Sequence, residues 1–283
     1  MALLIIDLAF QPEMAKLGLN SFEALQELFA QNLPKPLTPA LSPSDGERVA
    51  EGRVRGIRVS VKPHTLTLAD GTSLDVFFKQ YEYTPPAWVF LARRSKARCE
   101  FENYAALQRL GLPVAARVAC GEERDALGRL RRAFIITRAV PSAQTLIEFV
   151  REHCPDRATA GAAALRDQLW QQLAAAARTM HAGDFFHHDF VWRNLLVNRA
   201  PDGTPQLWLI DCPRGGVRQW GRQRHRWKDL ASLDKSAAQF CTRAERLNFL
   251  KLYLGKSRVD GAVKKLAREV LEYRRHRWPE DWK

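Results

Sequence analysis

From Arg55 onward, apolar and polar positions alternate, first in IRVSV and then in TLTLADGTSLDVFFKQY. A period of two places successive side chains on opposite faces, so these runs predict two strands joined through an Asp70-Gly71 turn. After the Pro85-Pro86 break the period lengthens. SKARCEFENYAALQRLGLPV predicts a helix ending near Gly111, with Phe101, Tyr104, Ala105 and Leu110 on roughly one side. Residues 114 to 120 and RRAFIITRAV, 131 to 140, predict two further strands.

Beyond Pro141 the pattern turns helical. TLIEFV is followed by a long segment from about Thr159 to His181, in which Leu165, Leu169, Leu173, Ala177 and Met180 recur at helical spacing before Gly183. LLVN and QLWLID flank a RAPDGTP turn and predict a hairpin. KDLASLDKSAAQF, AERLNFLKLYL and VKKLAREVLEYRRH predict the closing helices. The layout is α+β and bilobal, with a small strand-rich lobe over 54–140 and a larger helical lobe over 141–283.

Two segments precede these lobes. SFEALQELFAQ predicts a short helix with Ser21 as its N-cap, within a helical extension over residues 1–31. Residues 32–53, with several prolines and glycines and mixed charge, have too little apolar area to fold alone and predict a flexible insertion.

Composition narrows the partners. Against 31 Asp and Glu stand 44 Lys and Arg, a formal net charge of +13, and a field of that sign attracts phosphates on nucleotide, lipid, sugar or nucleic acid. The five cysteines form no CxxC pair, which argues against a disulfide framework and a Cys-rich zinc site and predicts reduced thiols in the cytoplasm. MALLIIDLAF lacks a basic leader, and no window reaches the ~18 apolar residues of a span, so membrane contact is expected to be peripheral.

The candidate chemistry sits in FFHHDFVWRNLLVN, residues 185 to 198, where Asp189 and Asn194 stand five apart in an apolar run. An unpaired charge there would be costly unless it had a task. The hairpin that follows brings Asp211, at the end of WLID, back beside Asn194, so an amide and a carboxylate can share a hard divalent cation through oxygen ligands. Asp189 is then left to orient and deprotonate a hydroxyl. Upstream, Lys79 in FFKQY needs a counter-charge, for which Glu100 in the next helix is the first choice and Glu102 the fallback. Strand lysine, helix glutamate, an H-x-D-x-x-x-x-N loop opened by His187, and a metal-binding acid after a hairpin are the parts of kinase-type phosphoryl transfer, in order.

With those motifs the sequence resembles the lipopolysaccharide kinase (Kdo/WaaP) family, over about residues 56 to 275. VFFKQY resembles the family's lysine strand, SKARCEFENYAAL its glutamate helix, HHDFVWRNLLV its catalytic loop and WLIDCPRG its metal-binding segment. The resemblance implies a protein-kinase-like fold and transfer of the γ-phosphate of ATP, with magnesium, to heptose or Kdo of the lipopolysaccharide inner core. It further implies a lipid A-core acceptor, met at the cytoplasmic face of the inner membrane. Asp189 would be the catalytic base, Lys79 and Glu100 the ATP-binding pair, Asn194 and Asp211 the metal ligands, and His187 and Arg193 supporting residues.

The sequence departs from kinases in three places. It has no G-x-G-x-x-G loop, the nearest stretch being GRVRG at 52–56; Val191 stands where protein kinases often carry lysine, with Arg193 as a candidate substitute; and Asp211 is followed by Cys212-Pro213. Four other readings compete. Zinc could draw on His181, His187, His188 and Asp189, although their spacing fits no helix-face pair. Nucleic acid could meet QWGRQRHRWK at 219–228, but such a basic surface equally suits anionic lipid, and no nucleic acid is expected. A pseudokinase would keep the fold without activity, and a kinase of another small hydroxylated molecule or of protein would keep the chemistry. For membrane contact the basic helix near the C-terminus is the candidate, with Val263, Leu266, Val270, Leu271 and Tyr273 among Lys and Arg.

Overall fold

The computed structural model describes residues 1–31, 56–87, 91, 93–155 and 159–282. The expected insertion at 32–53 and all of GRVRG except Gly56 lie outside the described residues. The chain divides into two compact units, one of Met1–Ala105 with Ala115–Val140, the other of Ala106–Val114 with Pro141–Lys283.

In the first unit, β1 (Ala2–Ile6), α1 (Gln11–Lys16) and α2 (Phe22–Gln31) precede the long hairpin β2 (Ile57–Thr67) and β3 (Ser73–Ala87). Then come α3 (Lys96–Arg109), β4 (Arg117–Arg124) and β5 (Leu130–Arg138). The five strands form one antiparallel sheet in the order β1-β4-β5-β3-β2. The strand expected at 114–120 is displaced toward the C-terminus, because its pairing with β5 runs on through the polar stretch to Arg124. The expected N-terminal helix is present, with Ser21 Oγ accepting the Ala24 amide. The apolar residues before it, however, pair with β4 as an edge strand.

Alternation along β3 sorts its side chains by face. Leu74, Val76 and Phe78 join Met14, Phe22, Leu25 and Phe29 in a buried core that also takes Phe134 and Ile136 of β5. Phe78 stacks on Phe29 with ring centroids 4.1 Å apart and meets Phe134 at 5.1 Å. Lys79 and Tyr81 therefore point to the other face.

The second unit continues with β6 (Gln144–Thr145), α4 (Leu146–His153), α5 (Ala160–Ala182) and β7 (Phe185–Phe186). A single turn of 3-10 helix at Trp192–Asn194 leads into the hairpin β8 (Leu195–Arg199) and β9 (Pro205–Leu209), followed by β10 (Gly216–Val217). The chain closes with α6 (Arg222–Ala237), α7 (Arg243–Tyr253) and α8 (Gly261–Arg277). Capping boxes, in which Thr145 pairs with Glu148 and Thr242 with Glu245, fix where α4 and α7 begin. α5 packs on α7, and α6 on α8.

α8 turns its apolar stripe inward: Val263, Leu266 and Val270 are buried, and Arg274 is buried against Asp234 at 2.9 Å. Lys264, Lys265 and Arg268 face solvent. The apolar stripe of this basic helix thus packs within the unit and leaves its cations solvated, with Leu271 partly exposed.

Candidate active site

In the first unit, Lys79 Nζ donates to Glu100 Oε2 at 3.1 Å. Glu100 is 2% exposed, and its carboxylate also accepts the hydroxyls of Tyr81, at 2.9 Å, and Tyr104, at 3.3 Å. The local sequence is compatible with this arrangement. Residues 79 and 81 share a strand face, residues 100 and 104 share a helix face, and a buried carboxylate survives only with several donors. Glu102 is engaged elsewhere, by Arg94 and by Arg98 at 3.0 Å, so the fallback pairing does not form.

In the second unit the loop 187–194 is held from below. Asp229 of α6 is fully buried, and its two carboxylate oxygens accept the backbone amides of His187 and His188, each at 2.7 Å. His181 Nε2 lies 3.4 Å from the same carboxylate, and its Nδ1 lies 2.9 Å from the Tyr253 hydroxyl. Burial alone would raise the Asp229 pKa. The hydrogen bond and charge of His181, with the fields of His187 and His188, outweigh it and hold the carboxyl below its ordinary value. Sequence reasoning missed this residue. Its signal was an acid on the buried arc of a helix, one position before Leu230 and four before Leu233.

Above that anchor the expected residues of this unit come together. The fully buried His187 faces the Ile210 carbonyl through Nε2 at 3.1 Å, which requires a proton on that nitrogen. The Ile210 amide donates to the Asn194 carbonyl at 3.1 Å, and Asn194 Nδ2 donates to the Asp189 carbonyl at 2.9 Å. Pairing of Leu195 with Leu209 brings the chain back, so that Asn194 and Asp211 flank the open end of the β8–β9 hairpin. The Asp189 side chain is about one-third exposed, and Arg193 approaches its carboxylate at 3.9 Å.

Four non-glycine residues among those described have positive φ, and two of them, His188 at 64° and Asp211 at 58°, belong to this site. Such conformations cost energy and persist where surrounding contacts enforce them. For His188 the contacts are explicit. Its Nδ1 donates to the Arg214 carbonyl at 3.0 Å, so in the neutral ring Nε2 accepts from His225 Nδ1 at 3.1 Å. Burial, then the charge of Lys228, pushes the His188 pKa down to about 4. The turn that delivers Arg214 needs glycine at 215, where a Cβ would sit 3.1 Å from both the Phe185 ring and the Phe186 carbonyl oxygen.

The donor set suits a hard cation. Asn194 spends its amide nitrogen on the Asp189 carbonyl, leaving its oxygen, and Asp211 supplies a carboxylate, as magnesium prefers. Among the described residues no group of three or more His, Cys, Asp or Glu is gathered to hold a metal ion, so the zinc alternative has no site. Its histidines are committed to Asp229, Ile210, Arg214 and His225.

Comparison with known proteins agrees with this reading. The model of the lipopolysaccharide kinase (Kdo/WaaP) family matches residues 80–253, more than half of the chain. A 3-deoxy-D-manno-octulosonic acid kinase of Haemophilus influenzae (strain PittEE) is 28% identical over 121 residues, 42% of this chain and 46% of that protein. The enzyme of the same description from Actinobacillus succinogenes is 26% identical over 145 residues, 50% of this chain and 53% of its own length. The chain thus spans about half the length of the curated relatives it matches. A solved structure described as WaaP in complex with acyl carrier protein superposes with a TM-score of 0.65 at 20% identity, covering 99% of this chain and 100% of that one. The fold is therefore the α+β, kinase-like one expected, strand-rich first and helical afterwards.

Proposed function

The chain belongs to the lipopolysaccharide kinase (Kdo/WaaP) family, and from that premise we propose that it transfers the γ-phosphoryl group of ATP to a heptose or Kdo hydroxyl of a lipid A-core acceptor. The observation that carries the proposal is the closed set of contacts from Asp229 through His187 and Ile210 to Asn194 and Asp189. It fixes the backbone on both sides of Asp189, while the Asp189 carboxylate itself meets Arg193 at the long distance of 3.9 Å. A carboxylate so held can accept the proton of an incoming hydroxyl as that oxygen becomes nucleophilic.

Each remaining residue takes a role its surroundings support. Lys79, oriented by Glu100, binds nucleotide phosphate, and the two tyrosines on Glu100 keep the acid in place when the lysine moves to its ligand. Asn194 and Asp211 would hold magnesium, which when bound offsets the negative charge of the β- and γ-phosphates. Arg193, four residues after Asp189 and 3.9 Å from its carboxylate, would counter charge there in place of the lysine absent at Val191. The Cys212-Pro213 pair and the short path from Asp211 to β10 leave little chain for a peptide-recruiting segment, which favours a sugar over a protein substrate.

No helix among the described residues is long and apolar enough to cross a membrane. A lipid-linked acceptor would then be met from the surface, at the inner face of the inner membrane. Mass spectrometry of core oligosaccharide from cells with and without the gene tests the reaction. Loss of one phosphate in the deletant is expected, and unchanged core would refute it.

A further inference from the structure

From the end of the metal-binding segment into the first turn of α6 runs RGGVRQWGRQR, residues 214 to 224, with four arginines and no acid. Trp220 is 88% exposed and Val217 54% exposed, while Trp170 and Trp192 of the same unit are buried. An indole left in water beside an exposed valine forgoes stabilisation that burial would give. The side chains of Arg214, Arg222 and Arg224 are exposed around it.

The stretch is also anchored to the reaction loop. β10 pairs with β7, Val217 opposite Phe185, immediately before His187. The Arg218 amide donates to the Asp184 carbonyl at 2.8 Å, and Arg222 pairs with the Asp184 carboxylate at 3.1 Å. These contacts, with the Arg214 carbonyl on His188 Nδ1, tie the stretch to the residues that lead into Asp189.

We infer that residues 214–224 form a membrane-docking face, with Trp220 and Val217 entering the interface of an anionic bilayer and Arg214, Arg218, Arg222 and Arg224 facing its phosphates. Tryptophan is favoured at the headgroup level, where its ring is half dehydrated, and guanidinium groups recognise phosphate through paired donors. A second copy of this chain would bring like charges together, because the protein carries a net +13. Nucleic acid would use the arginines but give the valine no partner. α8, with its apolar stripe already packed, would add only electrostatic attraction. The inference rests on the proposed lipid-linked acceptor for its purpose, since it sets Asp189 at the lipid surface, but binding can be measured without turnover.

The test is sedimentation of the full chain with vesicles of phosphatidylcholine alone and of phosphatidylcholine with phosphatidylglycerol, at low and high salt. The comparison includes Trp220→Ala, the double variant Arg222→Gln/Arg224→Gln, and on α8 the double variant Lys264→Gln/Lys265→Gln. Wild type is expected to bind anionic vesicles at low salt. Trp220→Ala should weaken binding about fivefold, the arginine pair about tenfold or more, and the α8 pair less than twofold. Trp220→Phe should recover part of the loss. Equal binding by wild type, Trp220→Ala and the arginine pair, or a loss confined to the α8 pair, would overturn the assignment. So would a Trp220→Ala variant that loses affinity for an oligonucleotide but not for anionic vesicles. Phosphorylation of deacylated, water-soluble core separates the two readings. Its absence in wild type refutes the reaction and leaves docking standing, whereas its retention in every variant beside unchanged vesicle binding refutes docking alone.

Discussion

Each unit buries one carboxylate behind a residue assigned to the chemistry, but the two do so by different means. Glu100 is satisfied by side chains, the ammonium of Lys79 and the hydroxyls of Tyr81 and Tyr104. Asp229 is satisfied mainly by backbone, through the amides of His187 and His188, with His181 beside them. The first arrangement orients a side chain, the Lys79 ammonium, proposed to bind nucleotide phosphate. The second fixes main-chain geometry at His187 and His188, where the left-handed turn is also held by the His188 ring on the Arg214 carbonyl and His225. A buried acid serving backbone is the less replaceable of the two, because its partners cannot be mutated away with it.

The largest expected effect is therefore at Asp229. Asp229→Ala leaves the amides of His187 and His188, and His181, without this acceptor and should cost about 3–5 kcal/mol of stability, read from chemical denaturation, with activity lost as well. At Glu100 the comparison sharpens. Glu100→Gln keeps an oxygen for the tyrosine hydroxyls and should cost less, about 1–3 kcal/mol, while raising the KM for ATP more than it lowers kcat. Equal losses at the two positions would show that backbone and side-chain satisfaction are equivalent here.

Lys79→Met leaves Glu100 the hydroxyls of Tyr81 and Tyr104. It should destabilise by about 1–2 kcal/mol yet abolish most nucleotide use, a separation of stability from binding measured by denaturation and by titration with ATP. A loss of stability as large as that of Asp229→Ala would contradict the distinction.

Acid should act on the second unit. The His188 pKa is depressed to about 4 by burial and by Lys228, and His225 is depressed as well, so the unfolded chain binds more protons than the folded one just below the ordinary histidine range. Stability contributed by the neutral rings is complete above pH ~6.5 and is lost as pH falls toward about 4. Asp229 continues the trend below the ordinary carboxylate value, because its folded pKa is lowered. Thermal melting across this window should fall steadily for wild type. His188→Asn, a side chain tolerated at positive φ, should flatten the upper part of the curve. An unchanged slope in that variant would remove His188 from the account.

Much of this was legible in the sequence, and what was not has a physical reason. The Lys79–Glu100 contact was foreseen because a charged residue in an apolar strand demands a counter-charge, and the placement of Asn194 and Asp211 at one end of a hairpin because the chain between them is short. β1 was missed because an edge strand needs only one partner, β4, and its five residues alternate weakly. Asp229 was missed because its partners are amides, which leave no trace in side-chain periodicity. The left-handed turns at His188 and Asp211 were equally invisible, since neither glycine nor asparagine marks them. Basic composition pointed to phosphate as a class of partner, and the apolar spacing of α8 suited packing within the lobe, where the structure places its stripe.

The measurement that tests the central claim most directly is transfer of labelled γ-phosphate from MgATP to phosphate-free core oligosaccharide by purified wild-type and Asp189→Asn proteins, alongside nucleotide binding by both. Wild type should label the sugar, and Asp189→Asn should bind nucleotide comparably while kcat falls by about 10²–10⁴. Near-normal labelling by Asp189→Asn would contradict the assignment of the base and, with it, the reading of the loop that Asp229 holds.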